Sequence, residues 1–205
     1  PVDMLVVTTR EAVPDDTRLF NGERGDRIHR TRLRISIPPN PERRVGDVAW
    51  PTSTPPDPKR SFAVVGRKNL DTEGAKTWFR ETGKGRALIF VHGYNTRYDD
   101  AVFRFAQFVH DSHTPFTPIL FTWPSRGRLV DYAYDRESTN YSRDAFEALL
   151  RAASANPDVE QISILAHSMG TWLTMETLRQ IAIKDGRLPP KIHDVILASP
   201  AIDGD

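Results

Sequence analysis

The sequence predicts an α/β fold, a mostly parallel, twisted sheet flanked by helices on both faces, and three observations carry that expectation. Four short stretches, at residues 87–91, 119–121, 162–165 and 195–198, are apolar but for Ser163 and lack the regular polar alternation of a half-solvated strand. Such runs suit strands buried on both faces. Helical segments with one apolar face separate them, which is the grammar of repeated βα units. The first three runs also stop abruptly, at His92-Gly93, at Trp123-Pro124 and at a serine-containing turn.

Taken in order, residues 3–9 form a β-branched run that reads as a first strand. Residues 30–37 alternate Arg32-Leu33-Arg34-Ile35, the period of a half-buried strand. Seven prolines then fall within residues 38–60, too many for a helix interior or a central strand, so an extended surface connection is expected there. A further strand is expected at 61–66. After the run at 87–91 comes a helix over 98–110, with Val102, Phe103, Ala106 and Val109 on one face. A long helix over about 131–154 is stopped by Asn156-Pro157, and another over 169–184 ends at Asp185-Gly186. The chain is read as one domain, with N-terminal strands and a Pro-rich connection over 1–85 and the βα units over 86–205.

Composition narrows the function. A formal net charge of +1 argues against a nucleic-acid binder that neutralises many phosphates. Arginines cluster at Arg18, Arg24, Arg27, Arg30, Arg32 and Arg34, interleaved with Glu23 and Asp26. That stretch reads as a solvated strand surface in preference to an anion-binding face. The chain has no cysteine, so thiolate nucleophiles, thiolate metal sites and disulfides are excluded. No apolar run approaches the length of a transmembrane span. No zinc-ligand spacing, phosphate-cradling glycine loop or dinucleotide fingerprint is present, and no cofactor is expected. The start at Pro1, without a charged and apolar leader, leaves the compartment open, cytoplasmic or exported.

The residues with chemistry in them sit at strand ends. Ala166-His167-Ser168-Met169-Gly170 lies between an expected strand and an expected helix, the setting of a nucleophile elbow. Ala166 and Gly170 are the small residues that such a sharp turn requires. Ser168 is the expected nucleophile, and the Met169 N–H an expected donor to an oxyanion. His167 is read as structural, since neighbouring side chains diverge at such a turn. A second donor is expected from Val91-His92-Gly93-Tyr94-Asn95, where Gly93 lets the backbone turn and the Tyr94 N–H supplies the hydrogen bond. Residues 123–127 border this region, with Tyr132, Tyr134, Arg136 and Glu137 beyond them. These read as a packed loop capping a helix, or as a substrate wall or lid.

The succession Ile-Phe-Val-His-Gly-Tyr-Asn, Phe-Thr-Trp-Pro-Ser-Arg-Gly, Ala-His-Ser-Met-Gly and Leu-Ala-Ser-Pro resembles the α/β-hydrolase superfamily. More narrowly, it is similar to a bacterial esterase- and lipase-like branch whose substrates are unassigned. Val-Thr-Thr-Arg near the start and Ser-Ile-Pro-Pro at 36–39 also fit that branch. The resemblance implies an antiparallel N-terminal portion of the sheet, Ser168 as nucleophile, and Tyr94 and Met169 as oxyanion donors. In α/β-hydrolases the triad order is serine, acid, histidine. Asp203 is the expected acid and Asp205 its alternative, and Ala201 stands where the branch usually has a further Asp. No histidine follows Asp203. His193 is expected ahead of the last strand, and His29, His110 and His113 on segments that should not reach the elbow. The expectation is therefore a domain whose C-terminal strands and catalytic histidine lie outside this chain, in the same or a separate polypeptide. The function expected is a carboxylesterase working on a small-molecule ester through an acyl-enzyme. The alternative is a catalytically silent hydrolase-like module used for binding or assembly.

Overall fold

The computed structural model describes residues 1–14, 19–39 and 43–199. Among the described residues seven strands form a single sheet: β1 (Val2–Ala12), β2 (Phe20–Ser36), β3 (Ala63–Asn69), β4 (Arg86–Val91), β5 (Thr117–Thr122), β6 (Gln161–His167) and β7 (Ile192–Ala198). Their spatial order is β3-β2-β1-β5-β4-β6-β7. The β1, β5, β4, β6 and β7 strands run parallel, while β2 pairs antiparallel with both β1 and β3. This is the mostly parallel sheet with an antiparallel N-terminal portion that the sequence implied.

Period-2 geometry divides the strand side chains between two cores. Met4 and Val6 of β1, Leu88 of β4 and Leu120 of β5 pack on one face, against α2 (Tyr98–Ser112) and Phe62 from the Pro-rich connection. Leu5 and Val7, Ile89 and Val91, and Ile119 and Phe121 point to the other face. There they meet α1 (Thr72–Thr82), α3 (Tyr132–Ala155) and α4 (Met169–Asp185) through Trp78, Phe146, Leu150 and Leu173. Both faces of the central strands are thus covered, which is why those strands read as unbroken apolar runs.

Three features differ from the sequence reading. The β2 strand spans 17 residues where a strand over 30–37 was expected. Its first half is polar, exposed in part, and held by pairing with the irregular end of β1, where register shifts flank Arg10. Gly25 allows that approach, since a Cβ there would lie 2.6 Å from the Arg10 carbonyl oxygen. Helix α1 had no counterpart in the expected elements. The Asp71 carboxylate caps its start by accepting from the Gly74 N–H at 2.7 Å, and Gly83 ends it at φ 65°. The β7 strand begins at Ile192, so His193 and Asp194 lie inside it, not ahead of it. Pairing of Ile162 with Ile192 and Ser163 with Asp194 extends the ladder. His193 is exposed at the N-terminal end of β7, the end remote from Ser168. Residues 44–62 contain neither helix nor strand, as their prolines imply.

Candidate active site

The C-terminal ends of β4 and β6 bring the Gly93 loop and the Ser168 turn together. Ser168 is the cap residue between β6 and α4, at φ 50° and ψ −124°. A residue with a Cβ is strained there, and such strain is a mark of functional turns. The turn is held by hydrogen bonds on both sides. The Ser168 N–H donates to the Ala198 carbonyl at 3.0 Å, and the Thr171 N–H and hydroxyl both donate to the Ser168 carbonyl, at 2.9 and 2.6 Å.

Small residues make the contact possible, at a place the sequence reading did not identify. A Cβ on Gly170 would lie 2.3 Å from the His92 carbonyl oxygen and 2.6 Å from that of Val91. The close neighbour of the α4 start is therefore the end of β4, not only the strand leading into the turn. Gly93 faces the same point from the other side, where its Cβ would lie 2.8 Å from Ser168 Cβ and 2.9 Å from His167 Nδ1. Met169 is buried at the first position of α4, and Tyr94 follows Gly93 directly. Neither backbone N–H has a hydrogen-bond partner among the described residues. The helix dipole adds a positive potential at Met169.

His92 lies beneath this turn with both ring nitrogens engaged. Nδ1–H donates to the Gly93 carbonyl at 2.8 Å, and Nε2 accepts from the Trp123 N–H at 3.1 Å and contacts Thr122 Oγ1 at 2.9 Å. Its ring stacks on Trp123, whose Nε1–H donates to the His92 carbonyl at 2.9 Å. Burial, with the Arg10 charge nearby, pushes the imidazole pKa down to about 3, so His92 is a neutral structural group. His167 is exposed, and its ring turns toward Gly93 instead of away from the turn. No hydrogen bond joins it to Ser168 among the described residues. His29 lies on β2, and His110 and His113 stack near the C-terminal end of α2. Asp203, Asp205 and Ala201 fall outside the described residues.

A buried polar network holds the loops around the turn, and the sequence reading assigned it no role. Arg10 is fully buried at the end of β1. Its guanidinium donates to Thr122 Oγ1 at 3.0 Å, to the Ser125 carbonyl at 2.8 Å and to the Thr96 carbonyl at 2.7 Å. Asp135, buried in the first turn of α3, accepts from the Asn95 N–H at 3.2 Å, the Ser125 hydroxyl at 2.5 Å and the Arg126 N–H at 3.1 Å. Ser125 Oγ in turn accepts from the Thr96 N–H at 2.9 Å. Burial lowers the Arg10 pKa to about 10, with the Asp135 carboxylate the largest opposing influence, so the guanidinium stays charged at neutral pH. Arg10 closes the Val-Thr-Thr-Arg segment and Ser125 sits in Trp-Pro-Ser-Arg-Gly. Both were visible as motifs, yet only three-dimensional proximity gives them a shared task.

Residues 123–125 are buried, which favours the packed-loop reading of that segment. The Arg126 guanidinium pairs with Glu23 and sits 3.6 Å from the Tyr134 ring centroid. Leu129, Val130 and Tyr132 are exposed at the rim. The Tyr94 hydroxyl hydrogen-bonds the Leu129 carbonyl, and the Tyr94 and Tyr132 rings meet edge to face.

A mostly parallel sheet with a strained serine between strand and helix defines an α/β-hydrolase-type domain. The chain belongs to the family described as alpha/beta hydrolase of unknown function (DUF900), which matches residues 71–205. A segment of 62 residues is 37% identical to the uncharacterized protein alr1448 of Nostoc sp. strain PCC 7120. That segment spans 30% of this chain and 16% of the relative's length. No solved structure matches the chain.

Proposed function

We propose that the protein is a serine hydrolase of carboxylic esters, with Ser168 as nucleophile. The observation that carries this reading is the Ser168 conformation, φ 50° at the start of α4, with Gly93 and Gly170 clearing the space around it. Ser168 Oγ attacks the ester carbonyl carbon and its proton passes to a histidine. The carbonyl oxygen, now negative, is held by the N–H groups of Tyr94 and Met169. Collapse of the tetrahedral intermediate expels the alcohol, which takes the proton from the histidinium. Water then attacks the acyl-enzyme by the same route and regenerates the serine.

None of the six histidines hydrogen-bonds Ser168 among the described residues. The proposal therefore assigns the base to a histidine outside these residues, in the same or a separate polypeptide, oriented by Asp203 or, as the alternative, Asp205. The same observation favours a second reading, a hydrolase-like module that binds without turnover. Turnover of p-nitrophenyl acetate by the natural full-length protein and by its Ser168→Ala variant separates the two. The esterase reading predicts a loss of at least about 10³-fold in kcat for the variant. Equal turnover by both proteins, or none by either, contradicts it.

A further inference from the structure

We infer that Asp135 and Arg10 are positioning residues that clamp the Gly93–Arg97 loop and so fix where the Tyr94 N–H points. The inference rests on the serine-hydrolase reading and extends it to residues that touch no substrate.

Residues 93–97 form no regular structure and carry Asn95 at φ 57°, so sheet pairing does not hold them. Three hydrogen bonds to buried side chains hold Asn95 and Thr96. The Asn95 N–H donates to Asp135, the Thr96 N–H to Ser125 Oγ, and the Thr96 carbonyl accepts from Arg10. Tyr94 immediately precedes these anchored groups. Its own N–H has no partner among the described residues, while the N–H groups of Asn95 and Thr96 are both engaged.

The chemistry of the anchor is specific. All three groups around the Asp135 carboxylate are donors, and all are supplied by loops: Asn95 from one, Ser125 and Arg126 from the other. A carboxylate accepts from all of them, whereas an amide presents an N–H₂ to at least one donor. Arg10 donates to carbonyls of the same two loops. The two buried charges make no direct contact and act through the peptide and hydroxyl dipoles between them. Removing either leaves the other buried and uncompensated. A plain stabilising role would stop at holding the loops. A donor aimed at a developing oxyanion adds a rate consequence, because a displacement of about 1 Å costs on the order of 10²-fold.

The test uses the natural full-length protein with Asp135→Asn, and Ser125→Ala as a milder second variant in case the first fails to fold. Four quantities are read: fluorophosphonate-titrated sites per chain, kcat per titrated site and KM for p-nitrophenyl acetate, and hydrogen exchange of amides 94–97. The expected result is full titration at a slower rate, kcat per site down about 10- to 100-fold, KM within about threefold, and faster exchange in the loop. Ser125→Ala should move the same way by less. Unchanged kcat per site in the folded variants overturns the inference, and so does unchanged loop exchange. A wild-type protein inert to probe and ester sinks the hydrolase reading and the rate consequence with it. Loop exchange would then still report whether the clamp exists.

Discussion

At the scale of single residues, two glycines and one histidine set what the turn tolerates. Gly170 meets the His92 and Val91 carbonyl oxygens so closely that a methyl group forces backbone apart, and no side-chain rotation relieves it. Gly170→Ala should therefore cost about 3 kcal/mol, and urea unfolding would measure it. His92 is held neutral by burial and committed hydrogen bonds. Its folded pKa lies below the ordinary value near 6.5, so the unfolded state binds the proton first. The His92 contribution is complete above pH 6.5 and is lost as pH falls from there toward 3. Imidazole NMR shifts should show no His92 titration between pH 5 and 8. A His92 midpoint inside that window would contradict the structural role.

At the scale of elements, the α3 and α4 helices are joined by a carboxylate as well as by apolar packing. Burial of Glu147 on α3 raises its pKa, but hydrogen bonds from Gln180, Arg151 and Lys184 outweigh that and hold it near 2. Because the folded pKa is depressed, this contribution is present above the unfolded carboxylate value and fades as pH falls from about 4.5 toward 2. Glu147→Gln should shift the acid unfolding midpoint and leave stability near pH 3 closer to wild type than at pH 7. Elements of this kind were unevenly legible in the sequence. The central strands were, because burial on both faces writes an apolar run. The first half of β2 was not, because cross-strand pairing to an irregular β1 holds it and polar residues fill it. Helix α1 did carry a signal, Asp71 before it and Gly83 after it, but only Trp78 and Phe79 on it are buried, so its apolar stripe is short.

At the scale of the whole molecule, the Pro-rich connection is tied down by one buried ion pair. Arg43 pairs with Asp111 at the end of α2, and the same carboxylate accepts from the Gly46 N–H at 2.8 Å. The Arg43 guanidinium, helped by Gly46 and Gln107, holds the Asp111 carboxyl well below the usual carboxylate range. Asp111→Ala leaves Arg43 buried and unpaired and should cost about 3 kcal/mol. Limited proteolysis should then cut the 44–62 segment faster. The candidate site was legible to the extent that local spacing encodes it, as at Ser168, Gly93 and Tyr94. Ser125 and Asp135 lie ten residues apart, but Arg10 is 115 residues from Ser125 and joins them only when β1, β5 and α3 assemble. No local pattern could announce that. The expected acid, Asp203, lies outside the described residues.

The most direct test of the account is the intact mass of the natural full-length protein before and after a fluorophosphonate, beside its Ser168→Ala variant. The account predicts a single adduct per chain on the wild-type protein and none on the variant. No adduct on the full-length protein, or an adduct that survives Ser168→Ala, would contradict it.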